Sequence, residues 1–182
     1  MTELCEIGFK YKTDKCPQIK HHFTEFYHEM FKDHRNDIKK VVEIGIGNMH
    51  PYFVMGASLY MWREYFPNAQ IYGADIEPSL IFQANRIRTI LCDQTKKEDL
   101  KHLVSITGSD VDIFIDDGTH EPSSQVFTCL TTMPLLNNPI YVIEDVGFRS
   151  KVLPYLGDYD YNVLRYSHRK YNDDCLVVIK KK

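Results

Sequence analysis

Apolar residues along this chain fall into short runs whose spacing switches between a helical stripe and a strand-like block. After an irregular N-terminal stretch, His21 to Lys32 carries Phe23, Phe26, Tyr27, Met30 and Phe31 at helical spacing. Val41 to Gly45 is a compact β-branched run ending in glycine, and Gly56-Ala57-Ser58 opens a helix with Leu59, Trp62 and Phe66 on one side, stopped by Pro67-Asn68. Ala69 to Asp75 reads as a second strand, and Pro78-Ser79 begins another helix. Thr89 to Cys92 is a third strand followed by a helix over Glu98 to Ile106. Val111 to Ile115 is a fourth, and its helix shows Val126, Phe127, Leu130 and Met133. Ile140 to Ile143 is a fifth, and Tyr161 to Tyr166 with Leu176 to Ile179 form a last β pair. Alternating strands and helices predict an α/β fold: a Rossmann-like, doubly wound, mainly parallel sheet of seven strands with a closing antiparallel pair. Residues 1–182 are expected to form one domain, with 1–38 as a helical arm or lid and 39–182 as the core.

Composition narrows the partners. A formal charge of −3, with short lysine runs at Lys39-Lys40, Lys96-Lys97 and Lys180 to Lys182, offers no broad field for nucleic acid. Five cysteines without a CxxC spacing point to reduced thiols in a cytoplasmic protein, with neither a disulfide frame nor a zinc site. No apolar run is long enough to span a bilayer, and no signal peptide is expected.

The chemistry concentrates in Val111 to Gln125, VDIFIDDGTHEPSSQ. Ligands of open α/β sheets bind beyond the carboxyl ends of the strands, which puts Asp116, Asp117 and His120 at the rim. Adjacent carboxylates repel unless a proton or cation lies between them, and oxygen donors of this kind suit a hard cation such as Mg²⁺ or Mn²⁺. Glu43-Ile44-Gly45-Ile46-Gly47 is a strand-to-loop glycine signal, but a dinucleotide fingerprint would need a third glycine where His50 stands. The spacing is poor for a pyrophosphate and tolerable for a cofactor that carries no phosphate, such as S-adenosylmethionine. Asp75, ending the second strand, can accept from both ribose hydroxyls, and Asp93-Gln94 would reach the adenine end. Glu43, costly to bury unpaired inside an apolar strand, is explained by orienting the loop or by meeting the cofactor's amino group.

On these residues the chain resembles class I S-adenosylmethionine-dependent methyltransferases, and more narrowly the metal-dependent sugar O-methyltransferases that include the macrolide-sugar enzymes of the mycinamicin and tylosin pathways. The matching segments are Lys12-Thr13-Asp14-Lys15, His22-Phe23-Thr24 with Tyr27, VEIGIG at 42–47, 56–76, CDQ at 92–94, IDDGTHEPSSQ at 115–125 and YVIEDV at 141–146. The resemblance implies that Glu43, Gly45, Gly47, Asp75 and Asp93 line the S-adenosylmethionine site, with Ser58, Ile76, Gln94 and Asp116 completing the set. It implies that Asp116, Asp117, Glu144 and Asp145 surround a divalent metal, and that His120 acts as general base beside Asp117. Lys15 and His22 are candidates for a lid, and Tyr52, Phe53, Tyr155, Tyr159 and Tyr161 for stacking on a sugar. The implied acceptor is a small molecule or glycan, with neither nucleic acid nor membrane as partner and with homo-oligomerisation open. The chain departs from the pattern at Asn137-Asn138-Pro139, where a glycine pair is usual, and at Thr119, where serine is commoner. A counterpart of the additional N-terminal domain of some macrolide-sugar enzymes is not expected from these residues. A scaffold that binds S-adenosylmethionine without turnover, a nicotinamide oxidoreductase and a methyltransferase of another small molecule are the competing readings.

Overall fold

The computed structural model describes residues 1–47, 54–165 and 174–182. Its sheet has the order β3-β4-β2-β1-β5-β6-β8-β7. The strands are β1 (Lys40–Ile44), β2 (Gln70–Asp75), β3 (Gln83–Ala84), β4 (Ile87–Leu91), β5 (Ile113–Asp116), β6 (Ile140–Ile143), β7 (Tyr159–Arg165) and β8 (Cys175–Lys181). β4, β2, β1, β5 and β6 run parallel, while β8 is antiparallel to both β6 and β7. The expected closing pair is present. The sheet has eight strands rather than seven, because the expected helix at Pro78 is only a 3-10 turn over Pro78–Leu80 and the chain then forms the two-residue β3, antiparallel to β4.

The central strands are buried on both faces, as a parallel sheet covered by helices must be. Side chains alternate across the sheet, so one face takes Val42, Ile44, Phe114, Tyr141 and Ile143 and packs against α4 (Lys97–Thr107), α5 (Pro122–Thr132) and α6 (Arg149–Val152). The other takes Val41, Ile113, Ile115 and Val142 and packs against α1 (Glu3–Tyr11), α2 (Phe23–Phe31) and α3 (Ala57–Tyr65). The N-terminal stretch is therefore a helix rather than irregular: Thr2 caps α1 by accepting from the Cys5 N–H, and Leu4 and Ile7 are buried in the layer that α1 forms with α2 and α3.

Two details of this frame place the site. Strand order runs outward from β1 to β2 and β4 on one side, then returns to β5 and β6 on the other, so the ends of β1 and β5 flank a switch point. Ile44 pairs with Asp116, and Asp116 with Ile143, so Gly45, Asp117 and Glu144 all lie one residue past the paired rim.

Candidate functional site

Beyond that rim lie two adjoining clefts of about 190 Å³ each, sharing Gly45, Gly47, Asp117 and Gly118. One is bounded by Asp75, Ile76, Cys92, Asp93, Gln94 and Thr119. The other is bounded by Lys12 to Lys15, Val54, Ser58, His120 and Asp145.

The first cleft is shaped mainly by backbone. Gly45 has φ +83°, and a Cβ there would fall 1.9 Å from the Asp117 carbonyl oxygen, so only glycine lets the β1 loop pass this close to the β5 turn. Asp75 is held by two N–H groups, Ile46 donating to Oδ2 and Glu77 to Oδ1, each at 3.0 Å, so its carboxylate faces the cleft in a fixed orientation. Asp93 accepts from the Thr95 N–H and hydroxyl at 3.0 and 2.6 Å and pairs with Lys96 at 3.2 Å. The Gln94 amide is turned inward: its nitrogen donates to Asp116 Oδ1 at 3.0 Å and Thr128 Oγ1 at 3.1 Å, and its oxygen accepts the Thr119 N–H at 2.8 Å. A Cβ on Gly118 would sit 1.7 Å from that oxygen. Gln94 thus fixes the Asp117–His120 turn as well as walling the cleft.

Asp116 does not join the rim carboxylates. Strand alternation sends it to the face of Phe114, where it is buried against Gln94, and among the described residues it lines neither cleft. Burial there raises its carboxyl to about 7. Reading adjacent aspartates as one ligand pair overlooked the alternation that makes β5 a strand.

The second cleft is shaped by charge. Asp117, His120 and Asp145 each offer one ligand atom, all within 4.8 Å of one another. His120 Nε2 lies 3.0 Å from Asp117 Oδ1 and 3.4 Å from Asp145 Oδ2. His120 and Asp145 have φ +58° and +52°, left-handed conformations that bring their side chains together at the ends of two different strands. Two carboxylate oxygens beside an imidazole form a donor set that a hard divalent cation accepts. Burial resists charge on His120, but the Asp117 hydrogen bond and the Asp117 and Asp145 charges outweigh it and raise the ring to about 9. Burial likewise opposes ionisation of Asp117, yet Lys15 and His120 lower it to about 2. Asp145 rises to about 7, through burial and then the Asp117 charge.

Lys15, a lid candidate by sequence, is fully buried. Its ammonium contacts Asp117 and Glu144 and lies 3.1 Å from Glu43. Glu43 also accepts from Trp62 Nε1 at 2.9 Å and from the Ser58 hydroxyl, and Glu144 from the Tyr27 hydroxyl at 2.6 Å. These partners make burial of Glu43 tolerable. Burial still raises both Glu43 and Glu144, with Lys15 pulling the other way. Glu144, expected at the metal, engages Lys15 and Tyr27 on the α2 side, while Asp145 reaches His120.

His22 lies beside Glu25 at 2.8 Å, outside both cleft linings. The residue that reaches the site is His21, whose Nε2 is 3.4 Å from Asp145 Oδ1 and whose Nδ1 is 3.4 Å from Asp174 Oδ1. Sequence reasoning missed it; its only signal was adjacency to His22. Tyr155 borders an apolar groove between α5 and α6, Tyr161 sits on β7, and Tyr159 packs on the core, all away from the clefts. Tyr52 and Phe53 lie outside the described residues.

No protein-family model matches the chain. The mycinamicin VI 2''-O-methyltransferase of Micromonospora griseorubida is 38% identical over 146 residues, covering 79% of this chain and 36% of that protein. The demethylmacrocin O-methyltransferase of Streptomyces fradiae is 36% identical over 146 residues, with the same shares. The solved MycE methyltransferase of the mycinamycin pathway, in complex with Mg, SAH and mycinamycin VI, superposes with a TM-score of 0.77 at 27% identity, over 100% of this chain and 55% of that one. The chain thus spans little more than a third of the length of these curated relatives. Among the described residues no helix is long and apolar enough to cross a membrane.

Proposed function

Over the stretch it shares with them, the chain belongs with the class I S-adenosylmethionine methyltransferases of the mycinamicin sugar type, and on that premise we propose that it methylates a sugar hydroxyl with the help of a divalent cation. The observation that carries this reading is that Gly45, Gly47, Asp117 and Gly118 line both clefts, so a methyl donor in the first and a cation-held hydroxyl in the second would meet across one wall. Asp75 is the proposed acceptor for the ribose hydroxyls, with Gly45, Gly47, Ile76, Asp93 and Gln94 forming the rest of the donor cleft. Glu43 and Ser58 support the loop from behind. Asp117 and Asp145 are the proposed cation ligands, and Glu144 holds Lys15 beside them.

S-adenosylmethionine supplies a methyl group on a sulfonium, and Mg²⁺ or Mn²⁺ supplies a Lewis acid that eases loss of the acceptor proton. The chain's own task is to align the hydroxyl for in-line attack and to take its proton. We assign the proton to His120, which borders the second cleft and is partly open to it. Asp117 and Asp145 hold the ring protonated, and a cation bound between them would offset their charge and favour the neutral imidazole that a general base needs. The acceptor is proposed as a free, nucleotide-linked or glycan-borne sugar. The five buried free thiols fit action in the cytoplasm.

Labelled S-adenosylmethionine incubated with the protein, Mg²⁺ and a panel of nucleotide sugars and glycosides tests this reading. Transfer that stops with EDTA and returns with Mg²⁺ is expected. Transfer that persists in excess chelator would exclude the cation, and failure to bind S-adenosylhomocysteine would exclude the methyl-transfer reading altogether.

A further inference from the structure

Each carboxylate of the candidate cation site has two oxygens, and the arm between α1 and α2 meets one oxygen of each. Lys15 Nζ pairs with Asp117 Oδ2, and His21 Nε2 stands 3.4 Å from Asp145 Oδ1. The remaining oxygens, Asp117 Oδ1 and Asp145 Oδ2, are the two that face His120 Nε2. The arm is itself fixed. The His21 ring stacks parallel to Phe23 at 4.6 Å, its backbone N–H donates to the Asp14 carbonyl at 2.7 Å, and Asp174, just before β8, meets its other ring nitrogen at 3.4 Å. Asp174 Oδ1 also accepts the His22 N–H at 3.3 Å.

We propose that Lys15 and His21 are positioning residues that turn Asp117 and Asp145 into one-oxygen ligands, so the cation site takes shape only with the arm docked. The proposal rests on the cation reading above. Groups behind a metal's direct ligands set ligand orientation, and their loss commonly weakens metal binding about 10–100-fold. Asp174 supports His21 from behind and carries a smaller share.

The test is Mn²⁺ titration of the full chain, followed by calorimetry, with S-adenosylhomocysteine titrated in parallel. His21→Phe keeps an aromatic ring against Phe23 and removes both ring nitrogens. It is expected to weaken Mn²⁺ binding about 10–100-fold while S-adenosylhomocysteine binding stays within about two-fold. His21→Gln, which retains an N–H near the Nε2 position, is expected to restore Mn²⁺ binding to within a few-fold. If the Phe variant does not fold, Asp174→Asn is the second variant: a several-fold loss of Mn²⁺ affinity with S-adenosylhomocysteine binding unchanged is expected, and native Mn²⁺ affinity would overturn the role of the arm. Asp117→Asn is the control on the underlying reading. If His21→Phe binds Mn²⁺ like the native chain while Asp117→Asn does not, the positioning role is overturned and the cation site stands. If neither variant changes Mn²⁺ binding, the cation site falls and takes the proposal with it. Equal loss of Mn²⁺ and S-adenosylhomocysteine binding in both His21 variants would make His21 a structural residue only.

Discussion

The two clefts at the end of the sheet share a wall yet are made of different materials. The proposed donor cleft is shaped by backbone: a glycine with no room for a Cβ, and an aspartate pinned by two amide N–H groups. The proposed cation cleft is shaped by side-chain charge brought from β1, β5, β6 and the N-terminal arm. Backbone shape is set once the strands pair, and pH or a distant substitution barely touches it. A charge-built site responds to every group in it, so the same fold carries one rigid cleft and one tunable cleft a residue apart.

Removing the charge at the shared wall should separate the two most sharply. Asp117→Asn is expected to cut turnover at least ~100-fold while leaving S-adenosylhomocysteine affinity within a few-fold, read by single-turnover assay and calorimetry. Gly45→Ala should instead break both clefts together, because its Cβ would displace the Asp117 carbonyl: cofactor and Mn²⁺ binding should both fall, and thermal stability with them. If Gly45→Ala spared Mn²⁺ binding, the idea of a common wall would be lost. Lys15→Met leaves buried carboxylates uncompensated and should destabilise the chain by about 3–5 kcal/mol in urea denaturation.

A milder probe is pH. The folded chain binds the Asp116 proton more tightly than the unfolded chain, whose value is near 3.8, so this group's stabilising contribution declines as pH rises from there through about 7. Asp116→Asn should flatten part of that decline in melting curves recorded without divalent cation. The protonated His120 contributes stability in full below about 6.5, and that contribution is lost as pH rises through about 9. His120→Gln should remove this second, alkaline step. The smallest change is expected from Asp93→Ala, since Asp93 already caps its own turn through Thr95 and Lys96. S-adenosylhomocysteine affinity should move by no more than a few-fold. A loss as large as that of Asp75→Ala would mean the cofactor draws on Asp93 directly.

Much of this was legible in the chain because it is written locally. β-branched runs bounded by glycine and aspartate marked the five parallel strands, and the Asp-Asp-Gly turn marked the rim. The misses have physical causes. Gly8 in ELCEIGFKY argues against a helix, yet α1 needs a small residue there: a Cβ would come 3.0 Å from the Cys16 Cβ. β3 is two residues long, too short for any periodicity to declare it. Asp116 and Asp117 look like one site as neighbouring letters, whereas the strand turns Asp116 to the buried face. Lys15 and His21 owe their roles to contacts made across most of the chain, and no local pattern encodes those.

Lys15 has a further consequence at the ribosome. It precedes Glu144 by 129 residues, which at roughly 5–20 residues per second is a delay of roughly ten seconds during synthesis. Throughout that interval the ammonium is an ordinary hydrated lysine, and the carboxylates it will join are still arriving. The ion cluster therefore cannot form until β6 has been made, and a nascent chain stopped before β6 would present Glu43 and Asp117 without Glu144. A molecule in which Lys15 is shielded from amine-reactive reagents has been translated through β6 and folded across the sheet, which makes that one amine a compact reporter of docking between the arm and the sheet.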